Sequence, residues 1–244
     1  MLAIRTAATH IKTVRVRNSG SIAATSVVKA CTEVTQHNDL PVLRLANESL
    51  RNLSQDKLAQ LPFADPFWAF VWPGSFALTK YLQENNGILK NCNVIDFGSG
   101  CGVSAVAAAH KTSGTVIAND IDEFALAATW LNSELNQVKI QTKRDNLIGF
   151  SNEELRNLFA KNENNTQLTL LCGDMFYETQ LGVDVAQWFA ELSRDDSTNI
   201  IIGDPGRHAL PPNYLKVASY PLPKFLRDDN SGLLSTFVYT LKTQ

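Results

Sequence analysis

The chain has 244 residues, with 22 basic and 24 acidic side chains and a formal net charge of -2. This length suits one α/β domain with a full core and is too short for two domains of usual size. The nearly balanced charge gives no overall attraction for nucleic acid, and no apolar run approaches the roughly 18 residues of a membrane-spanning helix. We therefore expect neither nucleic acid nor a membrane as a partner.

Cysteine and histidine occur four times each and are scattered along the chain. The cysteines form no C-x-x-C pair of the kind that binds zinc or carries redox chemistry. We therefore expect reduced thiols, no disulfide framework and no metal site. The cysteines are Cys31, Cys92, Cys101 and Cys172.

Residues 1–32 contain five basic side chains, no Asp or Glu, and many Ser, Thr and Ala residues. This composition is typical of a mitochondrial transit peptide, and an ordinary disordered basic tail is the alternative. We expect cleavage before Glu33 and a location in the mitochondrial matrix. Residues 33–61 form an N-terminal extension, in which we expect a short strand at 41–45 and a helix at about 50–60, both outside the main sheet.

The most aromatic segment is Asp65-Pro-Phe-Trp-Ala-Phe-Val-Trp-Pro-Gly-Ser75. Pro73 suits the first position of a helix that runs to about Glu84. We expect Phe67, Trp68 and Phe70 to be core residues. Trp72 stands just before the helix, where an indole can cover a bound cofactor and exclude water.

Residues 94–122 predict a strand, a glycine turn, a helix and a second strand in succession. A short apolar run at 94–97 is followed by Gly98, Gly100 and Gly102, which allow the backbone to turn sharply and approach a ligand. A helix is expected at 103–109. The strand at 115–119 delivers Asp120 to its carboxyl end, where a carboxylate accepts hydrogen bonds from ribose hydroxyls. An adenosine cofactor is indicated.

The glycine spacing distinguishes between adenosine cofactors. A dinucleotide site needs G-x-G-x-x-G, whereas this chain has G-x-G-x-G preceded by Asp96. The Asp96 carboxylate would repel a pyrophosphate and attract a ligand that carries ammonium and sulfonium groups. The pattern favours S-adenosylmethionine over the cofactor of a dehydrogenase.

The chain then alternates helices and strands. We expect a helix at 123–135 and a strand at 138–142, after which Asp145 or Asn146 contacts the adenine edge or merely forms a polar turn. Residues 149–167 resemble a surface insertion with a short helix at 153–159. Further elements are a strand at 168–173, a helix at 183–192, a strand at 199–203, and a hairpin-like pair at 214–219 and 233–241.

Four aspartates, Asp96, Asp120, Asp174 and Asp204, end predicted parallel strands, so we expect them at one edge of a doubly wound sheet. If a lysine amine is methylated there, it must first lose a proton, which costs roughly 4 kcal/mol at neutral pH. Asp174 can accept an N–H bond from the amine, and the side chains as far as Tyr177 can wall a channel for it. The alternative is that Asp174 caps the next helix and Tyr177 is a core residue.

These residues make the chain resemble the family-16 lysine methyltransferases, a group of the class I, seven-strand methyltransferases. The resemblance covers roughly residue 62 to the C-terminus. It rests on the aromatic segment and on Asp96-Phe-Gly-Ser-Gly-Cys-Gly102, Ala118-Asn-Asp-Ile-Asp122, Gly173-Asp-Met-Phe-Tyr-Glu178, Gly203-Asp-Pro-Gly-Arg207 and Asn230-Ser-Gly-Leu233.

The resemblance implies a Rossmann-like, doubly wound sheet of seven mostly parallel strands over residues 62–244. It assigns Asp174 and Tyr177 to the pocket of the substrate lysine, as catalytic residues. It also implies a lysine of the electron transfer flavoprotein beta subunit as the substrate. The residues expected to bind S-adenosylmethionine are Trp72, Asp96, Gly98, Gly100, Gly102, Asp120, Ile121, Asn146 and Asp174.

Two other classes of function are compatible with this fold. One is a methyltransferase that acts on another protein, on glutamine, RNA or a small molecule; enzymes that methylate such amino groups usually carry Asn-Pro-Pro-Tyr where this chain has Asp174-Met-Phe-Tyr177. The other is a catalytically silent binding subunit. A silent domain has no physical need for the open glycine loop and Asp120, so we favour the enzyme.

Overall fold

The computed structural model describes residues 22–63, 65–159, 167–194, 197–230 and 232–241. The described chain begins with helix α1 (Ile22–Cys31), followed by an antiparallel pair of strands, β1 (Thr32–Thr35) and β2 (Leu43–Ala46). Two one-turn helices, α2 (Glu48–Arg51) and α3 (Gln55–Leu58), complete the N-terminal part. None of these elements belongs to the main sheet, as we expected for the strand at 41–45 and the helix at 50–60.

The main sheet has seven strands. In chain order they are β3 (Cys92–Phe97), β4 (Val116–Asp120), β5 (Gln141–Arg144), β6 (Gln167–Gly173), β7 (Thr198–Asp204), β8 (Leu215–Pro221) and β9 (Ser235–Thr240). Their spatial order is β5-β4-β3-β6-β7-β9-β8, with the first five parallel and β9 antiparallel to both its neighbours. The expected seven-stranded, mostly parallel, doubly wound sheet is confirmed.

Helices cover both faces of this sheet. They are α4 (Pro73–Glu84), α5 (Val103–Ala109), α6 (Glu123–Leu135), α7 (Asn152–Arg156), α8 (Thr179–Leu192) and α9 (Lys224–Asp229). Successive strand residues enter different cores: Val94 packs in the cluster that includes α4 and α5, and Ile95 packs in the cluster that includes α8. This alternation follows from the period of two in a strand.

The order of the strands reverses at the boundary between β3 and β6. From β3 the chain moves outward to β4 and β5, and it then returns to add β6 and β7 on the other side. Ligands of doubly wound sheets bind at such a switch point, beyond the carboxyl ends of the strands. The fold therefore places the candidate site at the ends of β3, β4 and β6.

Helix α1 packs on the rest of the molecule. Its buried side chains Ala24, Val27 and Val28 lie in one apolar cluster with Ala128 and Leu131 of α6. The helix lies within the range 1–32 that we expected to be a transit peptide, and a cut after residue 32 would remove this packing. Residues 1–21 lie outside the described ranges.

Several boundaries differ from the sequence-based expectations. The helix expected at 50–60 is interrupted, because Asn52 ends α2 and Ser54 precedes α3. The strand expected at 138–142 begins only at Gln141, where its pairing with β4 starts. The expected hairpin at the C-terminal end is an antiparallel pair, but α9 lies between its two strands.

One burial prediction was wrong and a second was incomplete. Phe67, expected in the core, is 50% exposed, because it lies in a 3₁₀ turn (Phe67–Ala69) whose other two residues are buried. Residues 149–167 were expected to form a surface insertion, yet Leu155 and Phe159 pack in the core cluster that contains α8. The insertion's residues 160–166 lie outside the described ranges.

Glycines allow helix α4 to begin directly on the sheet. A Cβ atom on Gly203 would lie 2.0 Å from the carbonyl oxygen of Gly74, and one on Gly74 would lie 2.1 Å from the carbonyl oxygen of Gly203. A Cβ atom on Gly173, at the end of β6, would lie 2.5 Å from the hydroxyl oxygen of Ser75. The amino end of α4 therefore lies against the carboxyl ends of β6 and β7. Among the described helices, none is both long and apolar enough to cross a membrane.

Candidate active site

The four aspartates lie at the same edge of the sheet, as expected. Asp96 is in β3, Asp120 ends β4, Asp174 directly follows β6, and Asp204 ends β7. These strands are consecutive neighbours in the order β4-β3-β6-β7. The carboxyl groups and the loops that follow them therefore surround the switch point.

The glycine turn between β3 and α5 requires its glycines. Gly98, Gly100 and Gly102 have φ angles of 67°, 52° and 76°, in the left-handed region that other residues rarely adopt. A Cβ atom on Gly98 would overlap Met175, and one on Gly102 would overlap Thr129. At Gly100 it would meet nothing within 4 Å. The turn therefore borders open space at Gly100, where a ligand can approach the backbone.

Asp120 holds this turn in place. Its Oδ2 accepts a hydrogen bond from the Gly100 amide at 3.0 Å, and its Oδ1 accepts one from the Asp122 amide, also at 3.0 Å. Burial raises the pKa of Asp120 above its usual value, while these amide bonds lower it. The Ile121 amide also contributes a hydrogen bond, and because a carboxylate can accept four, Asp120 keeps acceptor capacity for a ribose hydroxyl.

Asp96 is a buried carboxyl group with an unsatisfied oxygen. It is 2% exposed, and it accepts a hydrogen bond from the Ala105 amide in the first turn of α5. Within the described residues its Oδ2 has no hydrogen-bond partner. Burial raises the pKa of Asp96 to about 7, and repulsion from Asp120 contributes. A positively charged ligand would stabilise the ionised form, so this group fits a cationic cofactor such as S-adenosylmethionine.

Asp174 connects the sheet to α4 and to the loop after β7. It is buried and has a φ of 61°. Its Oδ2 accepts hydrogen bonds from the amides of Gly74 and Ser75, and its Oδ1 pairs with Arg207 Nη2 at 2.9 Å. Burial raises the pKa of Asp174 to about 6, and the Arg207 guanidinium opposes that rise. Asp174 therefore caps α4, whereas α8, the next helix in the chain, is capped by Glu178.

Arg207 lies between two buried carboxyl groups. Asp204 accepts the amides of Gly206 and Arg207 through Oδ1, both at 2.7 Å, and its Oδ2 lies 3.9 Å from Arg207 Nε. The same guanidinium reaches Asp174. Our sequence reasoning assigned no role to Asp204 or Arg207. The sequence does contain a signal for this contact, because Arg207 follows the strand-ending Asp204 by three residues. An arginine at that spacing can reach the carboxylate at the end of β7 and the one after the neighbouring strand β6.

Three aromatic rings lie together near the carboxyl end of β6 and the amino end of α4, and we call the space that they border the cleft. Ring centroids of Phe67 are 5.7 Å from Trp72 and 5.9 Å from Tyr177. The Trp72 indole donates a hydrogen bond to the Phe67 carbonyl at 2.8 Å. Burial, followed by the charges of Asp120 and Glu178, raises the pKa of Tyr177. Tyr177 is 50% exposed, so the alternative of a core residue is wrong.

The remaining predicted cofactor contacts lie on the side of β4 and β5. Ile121 follows Asp120 and is 70% exposed. Asn146 is also exposed, and its Oδ1 accepts the Ile148 amide at 3.1 Å, within a local turn. Asp145 pairs with Lys143 at 3.3 Å. The adenine contacts of Ile121 and Asn146 stay predictions.

Metal ligands and disulfides are not found in the described ranges. No group of three or more His, Cys, Asp or Glu side chains there could hold a metal ion. All four cysteines are free and buried, as we expected for reduced thiols. Burial raises the pKa of Cys101 to about 12, which keeps this thiol protonated at neutral pH.

Comparison with known proteins identifies methyltransferases as the relatives of this chain. The family model described as ribosomal protein L11 methyltransferase (PrmA) matches residues 76–161. The electron transfer flavoprotein beta subunit lysine methyltransferase of Danio rerio is 36% identical over 184 residues, which cover 73% of this chain and 67% of the relative. The enzyme of that name from Xenopus laevis is 33% identical over 218 residues, or 86% of this chain and 84% of the relative.

A more distant relative of the same kind is the Caenorhabditis elegans homolog, which is 31% identical over 75% of this chain and 81% of its own. Among solved structures, a putative SAM-dependent methyltransferase from Streptococcus mutans aligns with a TM-score of 0.55 at 11% identity. It covers 86% of this chain and 56% of that chain. This structural likeness bears on the fold alone.

Asp96 should make cofactor binding depend on pH. Because the pKa of Asp96 is about 7, the group is mostly protonated at pH 6 and ionised at pH 8. We expect the affinity for S-adenosylmethionine to rise about tenfold over this range, and Asp96→Asn to remove most of the rise. Titration calorimetry measures both. An equal pH dependence in wild type and variant would contradict the assignment of Asp96.

The same carboxyl group supplies a control that needs no ligand. Its folded pKa lies above its unfolded value of 3.8, so its contribution to stability is present below pH 4 and is lost as the pH rises through about 7. Between pH 4 and 8, the free energy of unfolding in urea without ligand should therefore fall less for Asp96→Asn than for wild type. If it does, the variant folds and its binding defect is local.

Proposed function

Because the chain belongs to the family of electron transfer flavoprotein beta subunit lysine methyltransferases, we propose that it transfers methyl groups from S-adenosylmethionine to lysine side chains of that subunit. The observation that carries the proposal is the buried Asp96 carboxyl group, with its unpartnered oxygen, at the switch point beside Asp174. This edge of the sheet suits two cations, the cofactor and a lysine.

The two ends of the cofactor would bind to different residues of the cleft. We assign the ribose hydroxyls to Asp120 and the adenine to Ile121 and Asn146, on the side of β4. Asp96 and the glycine turn would bind the charged amino-acid end, and Trp72 would cover it from the rim. When bound, S-adenosylmethionine supplies a methyl group on a positively charged sulfur atom, which attracts a nucleophile with a lone pair.

The lysine amine has to reach this methyl group without its third proton. Removal of that proton at neutral pH costs roughly 4 kcal/mol in water, and a desolvated cleft beside a positive charge lowers the cost. Asp174 Oδ1 accepts one hydrogen bond from Arg207 and retains a second acceptor position for an amine N–H. Tyr177 offers a ring wall and a hydroxyl group at the mouth. S-adenosylmethionine held by Asp120, Asp96 and the glycine turn would supply its methyl group to the nitrogen lone pair that Asp174 and Tyr177 orient.

We also propose the mitochondrial matrix as the location, with any removable leader confined to residues 1–21. This segment contains four basic side chains and no acidic one, whereas α1 is packed against α6. The mature protein from isolated mitochondria should therefore begin at or before Ile22, and N-terminal sequencing checks this. A mature N-terminus at Glu33 would contradict the proposed limit.

The proposed activity is tested with labelled S-adenosylmethionine and the purified flavoprotein subunit. We expect label on lysine, located by mass spectrometry. Asp174→Asn keeps the shape of the side chain but removes its charge, so transfer should fall at least a hundredfold, and this fall should exceed any loss of cofactor affinity. Asp228→Asn on the exposed surface of α9 is the matched control and should behave as wild type. Labelling of RNA or a metabolite in an extract, without labelling of protein lysine, would contradict the proposal.

Arg207 should set the pH at which Asp174 becomes active. The guanidinium opposes the rise in the pKa of Asp174, so Arg207→Met should raise that pKa further. The acid limb of kcat/KM should then move up by about one pH unit. Arg207→Lys retains the charge and should restore most of the wild-type profile. A uniform loss of activity with no shift of the limb would mean that Arg207 acts only on folding.

A further inference from the structure

Phe67 is a large aromatic side chain held in the solvent. It is 50% exposed, whereas Trp68 and Ala69, which follow it, are buried. Two hydrogen bonds fix its backbone: its amide donates to the Asp65 carbonyl at 2.8 Å, and its carbonyl accepts the Trp72 indole N–H at 2.8 Å. The exposure of the ring therefore follows from a defined local structure, the 3₁₀ turn.

The ring of Phe67 lies at the mouth of the candidate site. It packs edge-on against Trp72 and at a tilt of 52° against Tyr177, which is also half exposed. Tyr177 follows Asp174, at the end of β6, by three residues. Two half-exposed rings thus stand side by side where the cleft opens.

Two acidic residues lie close to the rings in the chain. Asp65 precedes Phe67 by two residues and is exposed, and Glu178 directly follows Tyr177 and caps helix α8 with its carboxylate. A lysine side chain has a long apolar stem and a cationic end. Aromatic faces attract both, the stem by apolar contact and the ammonium group through the ring quadrupole. The chemistry of this rim therefore matches an incoming lysine.

We propose that Phe67, together with Tyr177, forms the entrance that admits the substrate lysine, and that Phe67 determines affinity for the protein substrate. This inference rests on the proposed function. It concerns binding and not the methyl transfer itself, because Phe67 contacts the aromatic rim and has no group that can hold or move a proton.

The test compares Phe67→Ala, Phe67→Leu and Phe67→Tyr, with KM and kcat for the flavoprotein subunit and cofactor affinity measured separately. We expect Phe67→Ala to raise KM about tenfold with kcat changed less than about threefold. Phe67→Tyr should be close to wild type and Phe67→Leu intermediate, because leucine offers apolar contact without a ring. Leu215→Ala on strand β8, where the side chain is similarly exposed, is the matched control and should leave KM unchanged.

Two results would overturn the proposal. An unchanged KM in Phe67→Ala would exclude a role in substrate binding, and a loss of cofactor affinity as large as the change in KM would assign Phe67 to the cofactor. If wild type methylates no protein lysine, the proposed function fails on its own. Binding of a lysine-containing peptide in the presence of S-adenosylhomocysteine then decides: equal affinity of wild type and Phe67→Ala contradicts the entrance.

Discussion

The site depends on one buried contact, in which the Asp174 carboxylate binds the amino end of helix α4 and the Arg207 guanidinium. A carboxylate taken out of water is costly unless charged or strongly polar donors replace its hydration. Two backbone amides with the positive end of a helix, and one guanidinium, supply that replacement here. Because α4 begins at Pro73, the contact also fixes Trp72, and through its indole hydrogen bond the exposed ring of Phe67.

The electrostatic character of the sheet edge follows from its topology. Parallel strands deliver Asp96, Asp120, Asp174 and Asp204 to one place, and Arg207 neutralises part of the charge between the last two. Asp96 and Asp120 have no such partner in the described residues beyond backbone amides. Asp96 and Asp120, near the glycine turn, are therefore suited to binding a cationic ligand. Asp174 and Asp204 already have the guanidinium of Arg207 as their cation.

The sequence predicts well those features that depend on residues close together in the chain. The helices at 103–109 and 123–135 have the expected limits, and Asp120 ends its strand, because apolar periodicity and glycine are local signals. The role of Asp174 depends on Gly74, a hundred residues away, and no local pattern reports that contact. The exposure of Phe67 and the burial of Leu155 were missed for the same reason: both are decided by what packs on them in three dimensions.

The most direct test of this account is hydrogen exchange at the amides of Gly74 and Ser75, measured by NMR in wild type and in Asp174→Ala. If the carboxylate binds these amides, both should be protected in wild type and exchange much faster in the variant. The amides of Val94 and Ile95 in β3 should keep their protection in both proteins, which would show that the sheet is intact. Equal protection of Gly74 and Ser75 in the two proteins would contradict the central role assigned to Asp174.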